Sequence, residues 1–236
     1  MKALILAAGL GSRLRPLTDD IPKAMVKYEG VEIIRHQIDT LLSLNIDDIT
    51  IVAGYKSEIL INFLNKNYKK KFNIIINDKF ASSNSAFSSM GAFNKFIRSD
   101  YIHINCDILF SESLLSSLIK NNQKNILCLR SDLQLTNSME NVIALEDRVI
   151  NMALRQSKLA KFKAFGLAKI GKEALMKNLS LYKNLKKRKQ MQENYFGLIR
   201  MNLGMVDYHY IESNEKELSE LNSVEDLDKC KFILEN

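Results

Sequence analysis

Residues 2–8, Lys-Ala-Leu-Ile-Leu-Ala-Ala, form a nearly unbroken apolar run. Such a run is the pattern of a strand buried on both faces of a parallel sheet. A loop rich in Gly, Arg and Pro follows over residues 9–22, and then Ile34, Ile38, Leu41 and Leu42 recur at helical spacing. Further apolar stretches predict strands over 49–53, 72–76, 101–106 and 125–130, alternating with helices over 57–66, 84–96 and 112–119. This alternation predicts an α/β fold with a doubly wound, mostly parallel sheet. Beyond about residue 131 the rhythm weakens. A hairpin is expected from 142–145 and 149–153 around 146–148, then a strand over 165–170 and helices over 171–185 and 190–202. A strand over 205–210 and a closing helix over 224–234 complete the expectation. No linker or repeat divides the chain, so a single domain over 1–236 is expected. In doubly wound sheets ligands bind outside the carboxyl ends of the strands. The loop after the first strand and the end of the strand at 101–106 are therefore the places to look.

Composition narrows the class. With 46% hydrophobic and 26% charged residues the balance is globular. No uncharged apolar stretch approaches the roughly 18 residues of a membrane helix, and the apolar run at 3–8 is too short for a signal peptide. A soluble, cytoplasmic protein is expected, with no membrane partner. Three dispersed cysteines, Cys106, Cys128 and Cys230, lack zinc or disulfide spacing and fit a reducing compartment. The net charge of +7 owes much to lysine-rich clusters at 69–71 and 183–189. Such runs serve solvated helix faces or attract polyphosphates. No nucleic-acid-binding pattern accompanies them, and no nucleic-acid partner is expected.

The most informative segment is Leu6-Ala7-Ala8-Gly9-Leu10-Gly11-Ser12-Arg13-Leu14-Arg15-Pro16-Leu17-Thr18, continuing to Pro22-Lys23. Glycines there let the backbone approach a ligand and expose N–H groups to phosphate oxygens. Arg13 and Lys23 add cations able to neutralise a triphosphate and its transition state. Both prolines of the chain, Pro16 and Pro22, stiffen the loop. The segment lacks the Gly-Lys-Ser/Thr of a Walker loop, and Leu14 stands where a dinucleotide fingerprint needs its third glycine.

Taken whole, this string resembles the signature of the nucleotidyltransferases that make NDP-sugars and related activated compounds. Within that family the chain is similar to the short bacterial cytidylyltransferases that act on phosphocholine, phosphoglutamine and other non-sugar acceptors. The resemblance implies the Rossmann-like nucleotide-diphospho-sugar transferase fold, with a nucleotide-binding half over 1–130 and an acceptor-binding half over 131–236. It implies that Leu6, Ala7, Ala8, Gly9, Gly11 and Ser12 bind the nucleotide. By the same resemblance, Arg13 and Lys23 grip the triphosphate and the phosphoryl group in flight.

Two later segments add candidates. Ser83-Asn84-Ser85-Ala86-Phe87-Ser88 resembles the family's Asn-Asn-x-x-Ser element near the pyrimidine, with Asn84 and Ser88 matching and Ser85 in place of the second Asn. Capping of the following helix accounts for Asn84 equally well. Asp107, closing the apolar strand from Tyr101, matches the family's metal-binding Asp, and an Mg²⁺ that travels with a triphosphate needs only one or two protein carboxylates. His103, within that strand, reads as a packed core residue. Related enzymes carry a second metal carboxylate near the C-terminus, where this chain has Glu220-Leu221-Asn222-Ser223-Val224-Glu225-Asp226. Asn222 occupies the carboxylate's position. Asn222, Glu220 or Asp226 could serve, or Asp107 with the phosphates alone, while Ser223 and Asp226 also make a good helix start.

The resemblance implies in-line attack of an acceptor phosphomonoester on the α-phosphorus of CTP, with no general base required. Quaternary ammonium groups favour aromatic cages with Trp foremost, and this chain has no Trp. A phosphoglutamine-like acceptor is therefore favoured over phosphocholine, with Arg130 and Arg155 as candidate acceptor ligands, and a role in bacterial capsule or surface-polysaccharide modification. Two alternatives remain: an NDP-sugar pyrophosphorylase using UTP or dTTP with a sugar 1-phosphate, and a catalytically silent nucleotide-binding domain.

Overall fold

The computed structural model describes residues 1–96, 99–155 and 157–234, with backbone alone for 94–96. The strands are β1 (Lys2–Ala7), β2 (Lys27–Tyr28), β3 (Val31–Glu32), β4 (Asp48–Ala53), β5 (Asn73–Ile76), β6 (Tyr101–Asn105) and β7 (Ile108–Phe110), then β8 (Ile126–Arg130), β9 (Asn141–Leu145), β10 (Arg148–Ala153), β11 (Phe162–Ile170), β12 (His209–Ser213) and β13 (Leu218–Glu220). The α-helices are α1 (Ile33–Ser43), α2 (Ser57–Asn67), α3 (Ser85–Phe96), α4 (Glu112–Lys120), α5 (Lys172–Asn184), α6 (Lys187–Gln192), α7 (Tyr195–Asn202) and α8 (Val224–Lys229).

One nine-stranded sheet, in the order β5-β4-β1-β6-β11-β8-β12-β10-β9, takes strands from both halves of the chain. Its first four strands are parallel. β11 runs against both β6 and β8, and β10 against β9 and β12, so the sheet is mixed. Period-two alternation sorts β1 between two layers. Ala3, Ile5 and Ala7 pack under Ile34, Ile38 and Leu41 of α1, Leu60 and Leu64 of α2, and Leu114, Leu115 and Leu118 of α4. Leu4, Leu6 and Ala8 face Ala92 and Phe93 of α3, Ala174 and Leu175 of α5, and Tyr195 and Ile199 of α7. Helices on both faces make the sheet doubly wound.

Several expected boundaries move, each for a local reason. The helix expected over 190–202 is two helices, because the Asn194 side chain caps α7 by accepting from the Gly197 N–H at 2.7 Å. The strand expected over 205–210 begins at His209, where parallel pairing with β8 starts at His209↔Ile126. The closing helix starts as expected, on a Ser223–Asp226 capping box, but ends at Lys229 rather than 234. The antiparallel pair β7–β13 was not foreseen; three-residue strands carry too little periodicity to read. This pair carries the C-terminal segment to the end of β6, where the Leu221 N–H donates to the Asp107 carbonyl at 2.8 Å.

Candidate active site

The carboxyl ends of β1, β5 and β6 open into a cleft of about 320 Å³. Leu6, Ala8, Gly9, Arg13, Lys23, Asn84, Ser88 and Asp107 all line it. The loop after β1 is held by its own bonds. Thr18, fully buried, donates through Oγ1 to the Gly11 carbonyl at 2.9 Å, and Tyr55 Oη donates to the carbonyls of Thr18 and Asp19. Gly11 has φ +65°, and a Cβ there would sit 3.0 Å from Lys23 Cβ. The left-handed turn thus seats Lys23 at the mouth of the cleft. At Gly9 a Cβ would meet nothing within 4 Å, so the backbone there borders open space. Ala7 points away into the layer beneath, and Ser12 is exposed.

Lys23 is the hub. Its Nζ donates to Asp107 Oδ2 at 2.7 Å and to Asn222 Oδ1 at 2.9 Å, while Arg13 Nη2 donates to the same Asn222 oxygen at 2.7 Å. Burial is the largest single influence and disfavours the lysine charge. The charge and hydrogen bond of Asp107, with Cys106 and Glu220 adding to them, together outweigh it and hold the Lys23 pKa above the ordinary lysine value. Asp107 Oδ1 is buried and accepts no hydrogen bond from the described residues. No cluster of three His, Cys, Asp or Glu that could cage a metal exists among the described residues. One unpartnered carboxylate oxygen fits a cation that brings most of its ligands as phosphate and water, as Mg²⁺ does with a triphosphate, while the Asn222 oxygen already accepts from Arg13 and Lys23. Asp226 Oδ2 accepts from the N–H groups of Asn222 and Ser223 at 2.8 Å, so it serves the α8 cap.

The base-side candidates divide. Ser88 is buried, and its Oγ accepts from Asn77 Nδ2 at 2.9 Å. Asn84 is exposed at the start of α3, accepting from the Ser85 N–H and donating to the Gln192 carbonyl, so its side chain is partly engaged in holding α3 to the end of α6. Ser83 and Ser85 of the same segment also line the cleft, as do Asn77, Phe80, Asn105 and Cys106, which escaped the sequence reading. The rule that ligands gather at strand carboxyl ends, applied to β5 as well as to β6, points to Asn77 and Asn105. His103 is 1% exposed and stacked on Tyr195 at 3.6 Å, and burial lowers its pKa to about 3. It is a neutral core histidine, as expected.

A second cleft of about 420 Å³ shares Arg13, Ser85 and Asn105 with the first and adds Glu140, Lys163, Asn194, Phe196, Glu220, Asn222 and Asp226. Glu220 is ion-paired with Lys163 here. Of the two arginines named as acceptor ligands, neither lines this cleft. Arg130 is buried and lines a smaller neighbouring cleft with Lys163 and Glu220, donating to Asp132 at 2.7 Å and to the Leu218 carbonyl at 2.8 Å, an anchor for β13. Arg155 is exposed beside Leu154, which does line the cleft.

A Rossmann-like sheet with a cationic loop after its first strand and a carboxylate just past the neighbouring strand β6 defines a nucleotide-handling α/β protein. The nucleotidyl transferase family model matches residues 2–180, and the chain belongs to that family. The CTP:phosphoglutamine cytidylyltransferase of Campylobacter jejuni is 38% identical over 124 residues, which are 50% of this chain and 48% of that protein. The choline-phosphate cytidylyltransferase of Streptococcus pneumoniae is 43% identical over 88 residues, 37% of each chain. The chain thus spans about half the length, or less, of these curated relatives. Two solved structures share the fold. The inositol-1-phosphate CTP transferase of T. maritima superposes with TM-score 0.79 at 18% identity, covering 95% of this chain and 90% of its own. The CTP:phosphocholine cytidylyltransferase of S. pneumoniae superposes with TM-score 0.77 at 24% identity, covering 98% and 97%.

Proposed function

We propose that the chain is a CTP-dependent cytidylyltransferase that transfers CMP to a small phosphorylated non-sugar acceptor and releases pyrophosphate. The observation that carries this reading is the cationic seam: Arg13 and Lys23, joined through Asn222 and Asp107, stand where two clefts meet. One cleft offers amide and hydroxyl groups of Asn77, Ser83 and Ser88 suited to the edge of a pyrimidine. The other offers room for an acceptor.

In the proposed reaction an anionic oxygen of the acceptor phosphomonoester attacks the α-phosphorus of CTP. A new P–O bond forms, the bond to the bridging oxygen of the β-phosphate breaks, and pyrophosphate leaves with that electron pair. The nucleophile is already ionised near neutral pH, so no base is needed. Arg13 and Lys23 hold the reacting groups and neutralise the charge that builds on the equatorial oxygens. Asp107 would hold Mg²⁺, with Asn222 or Glu220 beside it, and the ion would add to the neutralisation of the triphosphate.

The second cleft favours a phosphoglutamine-like acceptor over phosphocholine. Phe196 is the one aromatic ring among its lining residues, whereas Arg13 and Lys163 face Glu140, Glu220 and Asp226. Phosphocholine is zwitterionic too, but its quaternary ammonium donates no hydrogen bond and wants an aromatic cage, which one ring does not make. The ammonium and carboxylate of an amino acid find polar partners in a lining of mixed charge. The similarity to the C. jejuni enzyme supports the same choice. Such a product is an activated group for modifying a bacterial surface polysaccharide, made in the cytoplasm.

The test is pyrophosphate release measured with CTP, UTP, dTTP and ATP against phosphoglutamine, phosphocholine and hexose 1-phosphates. CTP with phosphoglutamine is expected to lead. Preference for UTP or dTTP with a hexose 1-phosphate would make the protein a sugar-nucleotide enzyme instead. Tight CTP binding without turnover on any acceptor would make it a silent nucleotide-binding protein.

A further inference from the structure

Asn105 is the last residue of β6 and lines both clefts, where they meet. Three features fix its side chain. Its Oδ1 lies 3.1 Å from His103 Nε2. An amide oxygen only accepts, so Nε2 carries the proton, and Nδ1 of the buried ring is left bare and without a partner. The ring itself is clamped flat against Tyr195, with 5° between the planes. Opposite, Gly166 of β11 leaves the space that the amide fills: a Cβ there would lie 2.4 Å from both Cγ and Nδ2 of Asn105. With Oδ1 turned inward to the histidine, Nδ2 is a donor with no hydrogen-bond partner among the described residues, at the junction of the clefts.

Resting on the nucleotidyl-transfer reading, we propose that Asn105 Nδ2 donates a hydrogen bond to the phosphoryl group in transfer and that His103 is the positioning residue that keeps this donor, rather than Oδ1, facing the substrates. A donor preset in this way adds to Arg13 and Lys23 without bringing another charge. Its direction matters because the opposite face of the same amide would repel phosphate oxygens.

Three variants test it. Asn105→Asp keeps the shape but presents an anionic oxygen to the phosphates, and is expected to lower kcat by about 100-fold, the loss typical of one preorganised donor. His103→Phe keeps a ring on Tyr195 and loses Nε2–H. It is expected to lower kcat about 10-fold in the wild-type background and less than about 2-fold in an Asn105→Ala background, because it acts only through that amide. Equal losses in the two backgrounds would show that His103 supports the fold alone, and an Asn105→Asp enzyme within about 3-fold of wild type would overturn the donor. Melting temperatures identify any variant that has lost its fold. Should the wild-type protein turn over no acceptor, the proposed reaction fails separately. Calorimetry with Mg·CTP, Mg·UTP, Mg·dTTP and Mg·ATP then decides the inference: Asn105→Asp weakening the tightest of them by about 10-fold sustains it, and unchanged affinity overturns it.

Discussion

Gln37 offers a way to disturb the candidate catalytic turn without touching it. It lies on α1, is fully buried, and its Nε2 donates to the Asn105 carbonyl at 2.9 Å and the Ile108 carbonyl at 2.8 Å. Those two carbonyls bracket Cys106 and Asp107, so one amide clamps the turn from both sides. Replacing it with the unbranched Met keeps the volume and removes both bonds, a loss of about 1–3 kcal/mol at about 0.5–1.5 each. Gln37 Oε1, however, is buried with no partner among the described residues, and deleting it recovers a desolvation penalty of about 1–3 kcal/mol. The recovery offsets only part of the loss, because two carbonyls are left short of a donor. Gln37→Met should therefore destabilise by no more than about 3 kcal/mol, a Tm fall of up to about 6–12 °C in a chain of this size. Function should respond differently. Freed of its clamp, the turn lets the Asp107 carboxylate drift, and misplacement on the scale of 1 Å costs about 10²-fold. The expected outcome is a 10- to 100-fold fall in kcat/KM, as an order of magnitude, with a raised Mg²⁺ concentration for half-maximal rate. Thermal unfolding and a Mg²⁺ titration of pyrophosphate release measure both quantities. A variant with wild-type turnover at the wild-type Mg²⁺ requirement, or one destabilised beyond about 3 kcal/mol, would refute the offset argued here.

Other perturbations probe the loop and the thiols. Lys23→Ala removes the cation that bridges Asp107 and Asn222; turnover should fall by at least about 10²-fold with an unchanged circular dichroism spectrum, and near-normal turnover would remove the role. Gly11→Ala forces an L side chain into φ +65° with its Cβ 3.0 Å from Lys23 and 3.1 Å from Thr18; a cost of about 1–2 kcal/mol should lower Tm by roughly 2–8 °C, and an unchanged melting curve would contradict the packing. Burial pushes the Cys106 thiol up to about 12, with Asp107 adding to the shift, and burial alone raises Cys128. Cys230 is half-buried, so mass spectrometry after brief alkylation of the native protein should find Cys230 modified first; earlier modification of Cys128 would refute this order.

Much of the site was legible because its residues are continuous in sequence. The strand from Lys2, the glycine turn, Arg13 and Lys23 follow one another, and a buried strand running into a turn is a pattern that local chemistry reads. Asp107 was legible for the same reason, as the carboxylate just past an apolar strand. What escaped depends on pairing at a distance. Asn222 is named from the family resemblance as a candidate metal ligand, but its bond to Lys23 exists only because β13 pairs with β7, and nothing in Leu218-Ser219-Glu220 announces a strand. Arg130 is a candidate by its charge, yet its guanidinium turns to Asp132 and the Leu218 carbonyl and lies outside the lining of the second cleft. Charge in a sequence does not say which way a side chain turns. Asn105 and Asn77 carry no charge and drew no notice, although strand ends are where short polar side chains meet a ligand.

The amide at position 222 suits the cations beside it. Asn222 Oδ1 accepts from Arg13 and from Lys23 at once, at 2.7 and 2.9 Å. A carboxylate there would accept the same two bonds with roughly twice the strength. It would also cancel the second of the two positive charges, since Asp107 already answers the first. A triphosphate would then have to break two ion pairs to reach Arg13 and Lys23. With the neutral amide, the cations are oriented but not neutralised, and the seam keeps a net positive charge for an incoming polyanion. The consequence falls on the metal side, where Asp107 Oδ1 is the one buried carboxylate oxygen without a hydrogen-bond partner among the described residues. In the proposed reaction the protein's own cations therefore carry a larger share of the charge neutralisation than they would beside a second acidic ligand. Arg13, exposed at the rim and bonded to a neutral oxygen, is free to exchange that partner for a phosphate with little loss.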